Sequence, residues 1–212
     1  MRDHPWQFAP PIAEEAYTLV DALLVGSMLI TLVRHADRVK IACLAQLVNA
    51  LAPIMTETGG RAWRQTIFYP FLHASRFGRG VALNLQISSP AYDNHVFDQV
   101  PLLDAIATVD EEHGRAAIFA VNRSQTGELV LSGDLRELEG YEVVEHLVLE
   151  HANPAAVNTA ENPGEVVPKP HLGTTLSSGR LLATLPKLSW NVIRLGKGEN
   201  GLTPSPFPSR ES

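Results

Sequence analysis

The segment whose polar side chains are grouped as a binding site requires is Ala62-Trp63-Arg64-Gln65-Thr66. Trp63 offers an apolar wall and Arg64 a fixed charge. Gln65 carries an amide that both donates and accepts, which suits a hydroxyl-rich ligand. The segment follows Gly59-Gly60 after a run that reads as a parallel-type strand. Loops beyond the carboxyl ends of such strands are where α/β folds build sites. The competing reading makes the same residues a helix entry anchored by Trp63, with Gln65 as a cap.

Other titratable groups point to structure rather than chemistry. Glu145-His146 and Glu150-His151 repeat within one run, where Glu145, Leu147, Leu149 and His151 share a strand face. Residues six apart along a strand are too distant to meet at one metal ion. Asp110-Glu111-Glu112-His113-Gly114 reads as a solvated hairpin turn. Glu14 and Glu15 are adjacent, so on a helix they point in different directions and form no catalytic carboxylate pair. Cys43 lies in an apolar run without an activating His, which predicts a buried structural thiol. His35 and His73 fall in helical stretches as a cap or an interior histidine. No nucleophile elbow, P-loop or dinucleotide glycine pattern is present. No cofactor and no metal site is predicted.

The elements that must position these groups change character near residue 80. From Ala13 to Ala36, apolar residues recur at three- and four-residue spacing, with Pro10 and Pro11 before them and Glu14 and Glu15 at the positive end of the dipole. Val39 to Leu44 alternates briefly and predicts a strand, followed by a loop from Pro53 to Gly60. Thr66 to Phe77 predicts a second helix, interrupted at Pro70 and ended by Gly78. Beyond it come short, often alternating runs at Val81–Ile87, Leu103–Val109, Ala116–Asn122, Glu128–Leu131, Tyr141–Glu150, Leu181–Leu185 and Leu188–Leu195. That cadence predicts an antiparallel sandwich. Residues 152–180 form a polar insert, and the proline-rich end predicts a flexible tail.

Two helices and one parallel-type strand do not close a layer. Two architectures therefore stay open on patterns alone: an incomplete α/β unit, or helices covering one face of the sandwich. The chain has 212 residues, a formal charge of −6, and 45% apolar, 19% charged and 7% aromatic residues. That composition excludes general disorder and a basic nucleic-acid footprint. The lone cysteine points to a reducing compartment. The apolar stretch Leu19–Val33 contains Asp21 and falls short of the roughly 20 apolar residues a membrane span needs.

A longer pattern runs from about Pro5 to Gly196. It includes Asp21-Ala22-Leu23-Leu24-Val25-Gly26, His35-Ala36-Asp37-Arg38-Val39-Lys40-Ile41-Ala42-Cys43-Leu44, Ala62 to Phe71, His73-Ala74-Ser75, Gly78-Arg79-Gly80, Ile118 to Arg123, and Ser189-Trp190-Asn191-Val192-Ile193-Arg194. In these residues the chain resembles the intracellular α-L-arabinofuranosidases of glycoside hydrolase family 51.

The resemblance implies an α/β remnant, the last part of a (β/α)8 barrel, followed by an all-β jelly-roll-like sandwich. Residues 1–79 would be the incomplete end of the barrel, 80–197 the sandwich domain and 198–212 the tail. Ala13–Ala36 would follow the seventh barrel strand, and Val39–Leu44 would be the eighth strand. The family hydrolyses terminal non-reducing α-L-arabinofuranosyl residues by a retaining mechanism with two glutamates about 5 Å apart. Both would map upstream of Met1, so no catalytic residue is expected in this chain, which should be inactive alone. Gln65 is the one substrate-binding residue the resemblance carries over. The implied partners are an arabinofuranosyl oligosaccharide and the missing barrel part, on the same enzyme or on an upstream polypeptide. A homo-oligomer is implied once assembled, with a cytoplasmic location and no nucleic-acid or membrane partner. A non-catalytic module that binds carbohydrate or protein is the alternative.

Overall fold

The computed structural model describes residues 15–198. Helix α1 spans Leu19–Arg34 and helix α2 spans Phe68–Phe77. Between them lies a hairpin of β1 (Ile54–Thr56) and β2 (Ala62–Arg64). The remaining strands are β3 (Val81–Leu83), β4 (Ala91–Tyr92), β5 (Val100–Pro101), β6 (Leu103–Asp110) and β7 (Arg115–Asn122). They continue with β8 (Leu129–Asp134), β9 (Tyr141–Leu149), β10 (Lys169–Pro170), β11 (Thr175–Ser177), β12 (Arg180–Leu185) and β13 (Ser189–Lys197).

The larger sheet has six strands in the order β10-β9-β13-β7-β6-β3, and every pairing is antiparallel. A three-stranded sheet, β11-β12-β8, lies over one of its faces. Helices α1 and α2 lie over the other. The central strands are apolar on both sides, and the period of two sorts their residues. Ile106, Phe119 and Trp190 join Leu19, Leu23 and Tyr69 in the helix-side core. Ala105, Ile118 and Ile193 join Leu181, Ala183 and Leu185 between the sheets.

Two contacts fix the helices on the sheet. Gly26 of α1 faces Trp190 so closely that a β-carbon there would sit 2.6 Å from the indole Cε3. Asp104 accepts from Arg34 at 2.9 Å and from Arg123 at 2.7 Å, and Arg123 also reaches Ser27 Oγ at 3.2 Å. One mostly buried carboxylate thus ties the end of α1 to β6 and to the residue after β7.

Several sequence expectations need correction. Helix α1 begins at Leu19 rather than Ala13, because Thr18 and Asp21 form a reciprocal capping box that sets the first turn. Glu15 precedes the helix, while Glu14, Pro10 and Pro11 lie outside the described residues, as does the tail beyond Gly198. Val39–Leu44 forms no strand, since no neighbouring strand hydrogen-bonds to it, and Ile41 is 83% exposed. Cys43 is exposed for the same reason rather than buried. Pro70 does not interrupt α2. It sits in the first turn, where a missing N–H leaves no bond unmade. The run Val81–Ile87 shortens to Val81–Leu83. The sandwich strands and the turn at Asp110–Gly114 fall where the alternation placed them.

Candidate functional site

The hairpin sets the position of Gln65. Ile54 pairs with Arg64 at its open end, and Gln65 N–H donates to Pro53 O at 2.8 Å. The Gln65 side chain, 2% exposed, turns inward toward the chain that leads into α1. Its Nε2 donates to Glu15 O at 3.0 Å and to Ala52 O at 2.9 Å, while Oε1 accepts from Tyr17 N at 2.9 Å. Thr66 Oγ1 donates to Tyr17 O at 3.0 Å and Thr18 O at 2.6 Å. Both amide hydrogens are committed, and one lone pair of Oε1 remains. Gln65 is no helix cap: α2 is entered through Ile67, without a side-chain cap.

Around it, Trp63 is half-buried on β2 opposite Met55. The exposed Arg64 holds its guanidinium over the Phe68 ring, 5.0 Å from the centroid. The loop that supplies the Ala52 carbonyl turns through two left-handed residues, Asn49 (φ 66°) and Leu51 (φ 51°). Asn49 is a type that tolerates this conformation, and its side chain bonds Thr56 N at 2.7 Å. Leu51 is strained there, and such strain collects at functional loops.

Sequence reasoning missed the partners that hold the hairpin from outside. Residues 152–168, part of the run 152–180 read as a polar insert, pack as an ordered strap. Leu19 N donates to Ala156 O at 3.0 Å, and Thr18 bridges to Val157. Asn158 is 3% exposed. Its Nδ2 donates to Arg64 O and to Val166 O, each at 3.0 Å, and its Oδ1 accepts from Val166 N at 2.8 Å. Arg61, in the hairpin turn, donates to Ala160 O and pairs with Glu161, both at 2.9 Å, and also pairs with Glu57 at 3.3 Å. Side-chain bonds to distant backbone have no period, so no sequence signal marks Asn158 or Arg61.

The other titratable groups stand apart from Gln65. Glu145 pairs with Arg194, whose guanidinium also lies over Phe77. His151 pairs with Glu165 at 3.0 Å, and His113 with Asp110 at 2.8 Å. His146 is buried between Thr174 and Asn191, and burial is the main reason its pKa falls to about 4. Burial likewise lowers His73 to about 3, helped by Arg76 and Arg194. Burial raises the phenols of Tyr17 and Tyr69. Among the described residues no group of three metal-ligating side chains comes together, and no helix is long and apolar enough to cross a membrane.

The sequence model of the α-L-arabinofuranosidase C-terminal domain matches residues 2–189. An intracellular exo-α-(1→5)-L-arabinofuranosidase of Halalkalibacterium halodurans is 61% identical over 91% of this chain and 38% of its own length. A protein of the same description from Acetivibrio thermocellus is 50% identical over 93% of the chain and 39% of its own length. A family 51 α-L-arabinofuranosidase structure from Bifidobacterium longum superposes with a TM-score of 0.83 at 41% identity, covering 91% of this chain and 38% of that one. An arabinose complex of the Thermotoga maritima α-L-arabinofuranosidase gives 0.75 at 25% identity, covering 90% and 41%. The chain therefore spans about two-fifths of these relatives, and it belongs to the family 51 α-L-arabinofuranosidases, whose C-terminal domain it carries.

Proposed function

We propose that this chain is the C-terminal portion of a retaining α-L-arabinofuranosidase that removes terminal non-reducing α-L-arabinofuranosyl residues from arabinose-containing oligosaccharides. The observation that carries this reading is the 61% identity over 91% of the chain to a relative of which it spans 38%. Both catalytic glutamates then come from sequence outside these 212 residues, and the isolated chain does not turn over substrate. The part up to residue 79 completes a barrel, and 80–197 form the sandwich. Val39–Leu44, unpaired here, becomes the eighth strand once its neighbours are present. The exposed apolar residues Val20, Leu24 and Met28 on α1 support this, because an apolar face of this kind calls for a partner. The assembled enzyme is a cytoplasmic homo-oligomer.

Within it, Gln65 binds the arabinose. The uncommitted lone pair of Oε1 accepts a sugar hydroxyl, and a neutral amide orients a furanose without competing for the catalytic proton. Reaching Gln65 requires the segment at 15–17 that leads into α1 to shift, which couples sugar binding to the placement of Glu15 and Tyr17.

The test joins this chain to the upstream part of the Halalkalibacterium halodurans relative and assays an aryl α-L-arabinofuranoside. The joined enzyme is active and the chain alone is not. In the joined enzyme, Gln65→Ala loses roughly 1–3 kcal/mol of transition-state binding, as when a buried polar partner is left unpaired. Turnover by the isolated chain, abolished by changing one of its own glutamates, overturns the first claim. An unchanged kcat/KM in the folded Gln65→Ala enzyme overturns the second.

A further inference from the structure

Gln65 directly follows β2, which is only three residues long, and Thr66 and Ile67 lead from it into α2. A two-stranded hairpin this short is marginal by itself, so the backbone that carries Gln65 needs support from outside it. Two side-chain clasps between the strap at 152–168 and the hairpin supply that support, one from each side. Asn158 donates to the carbonyl of Arg64, the residue directly before Gln65, across 94 positions of sequence. Its other two bonds, to Val166 N and O, close a turn of the strap across eight positions and engage the rest of the carboxamide. At the far end of the hairpin, Arg61 reaches Ala160 O and Glu161.

We propose that Asn158 and Arg61 are positioning residues, through which the sandwich sets the placement of Gln65 toward the sugar. The inference rests on the reading of Gln65 as an arabinose ligand. Asn158 acts on the peptide plane that carries Gln65 N, and Arg61 fixes the tilt of the hairpin about that point. Neither touches the sugar. A displacement of about 1 Å in a substrate-orienting group is enough to cost a large rate factor, so clasps on the backbone of one ligand residue have a kinetic readout.

The experiment is a double-mutant cycle in the joined enzyme, read as kcat/KM for an aryl α-L-arabinofuranoside well below the melting temperature. Asn158→Ser lowers kcat/KM about tenfold and Arg61→Ala about threefold, while Arg61→Lys, which keeps the pair with Glu161, stays near the parent. Because both clasps act through Gln65, adding Asn158→Ser to Gln65→Ala causes little further loss. In the chain itself, Asn158→Ser speeds amide hydrogen exchange at Gln65 to Ile67. If Asn158→Ser does not fold, the exposed Arg61→Ala carries the same cycle. Full additivity with Gln65→Ala overturns the inference, since a merely structural role is blind to whether Gln65 is present. A costly Gln65→Ala beside a silent Asn158→Ser and a silent Arg61→Ala overturns the positioning role alone. A silent Gln65→Ala removes the ligand reading and this inference with it.

Discussion

Trp190 Nε1 donates a 3.1 Å hydrogen bond to His73 Nδ1, joining β13 to α2 inside the helix-side core. An indole only donates, so Nδ1 must present a lone pair and the imidazole proton sits on Nε2. The bond therefore requires a neutral ring, in agreement with the downward shift of His73 to about 3 by burial and by Arg76 and Arg194.

Stability should consequently fall on mild acidification. Unfolded His73 titrates near 6.5 and the folded residue near 3. Above pH 6.5 both states are neutral and this group has no effect. Between 6.5 and 3 the unfolded chain takes a proton that the folded chain refuses, which removes up to about 1.4 kcal/mol per pH unit. His146, lowered to about 4, acts in the same direction. Melts from pH 7.5 to 4.5 should show the decline, and it should be shallower in His73→Asn, which keeps an acceptor facing the indole. Equal slopes in the two proteins would refute the assignment.

Gly26→Ala should destabilise the chain although alanine is the better helix former. The new methyl would start 2.6 Å from Trp190 Cε3, and overpacking of this kind costs about 1–3 kcal/mol against a propensity gain of about 1. Urea titration of the variant should give a lower midpoint with an unchanged slope. A midpoint at or above the parent value would mean that α1 slides on the sheet without cost.

The outward stripe of α1 should make the isolated chain associate. Val20, Leu24 and Met28 recur every four residues and are 50%, 60% and 58% exposed. Leu24→Lys with Met28→Lys should shift the sedimentation profile toward monomer and reduce binding of an apolar-surface dye. A monomeric parent chain that binds no dye would contradict this.

What the sequence disclosed follows from which forces leave a period. β6 and β7 are legible because Ala105 to Val109 and Ala116 to Val121 must face two cores alternately. α1 is legible from its apolar spacing, although the capping box at Thr18 and Asp21 was open to reading and would have placed its start. Val39–Leu44 reads as a strand because its residues suit one. In this chain it stays unpaired, since β-structure depends on neighbours as much as on composition. The short hairpin was hidden by its Gly59-Gly60 turn. Gln65 is singled out by type and resemblance alone, and its bonds to Glu15, Ala52 and Tyr17 are visible only in the fold.

The bond between α2 and β13 also sets a timetable for synthesis. Trp190 follows His73 by 117 residues, and translation at about 5–20 residues per second places roughly 6–23 s between their appearances. Through that interval the helices lack β13, the strand that carries Trp190 between β9 and β7. Nascent chains of this protein are then most exposed to chaperones and proteases before the last strand leaves the ribosome. A stalled or shortened message that ends before Trp190 leaves Gly26, His73 and their helices with nothing to close upon.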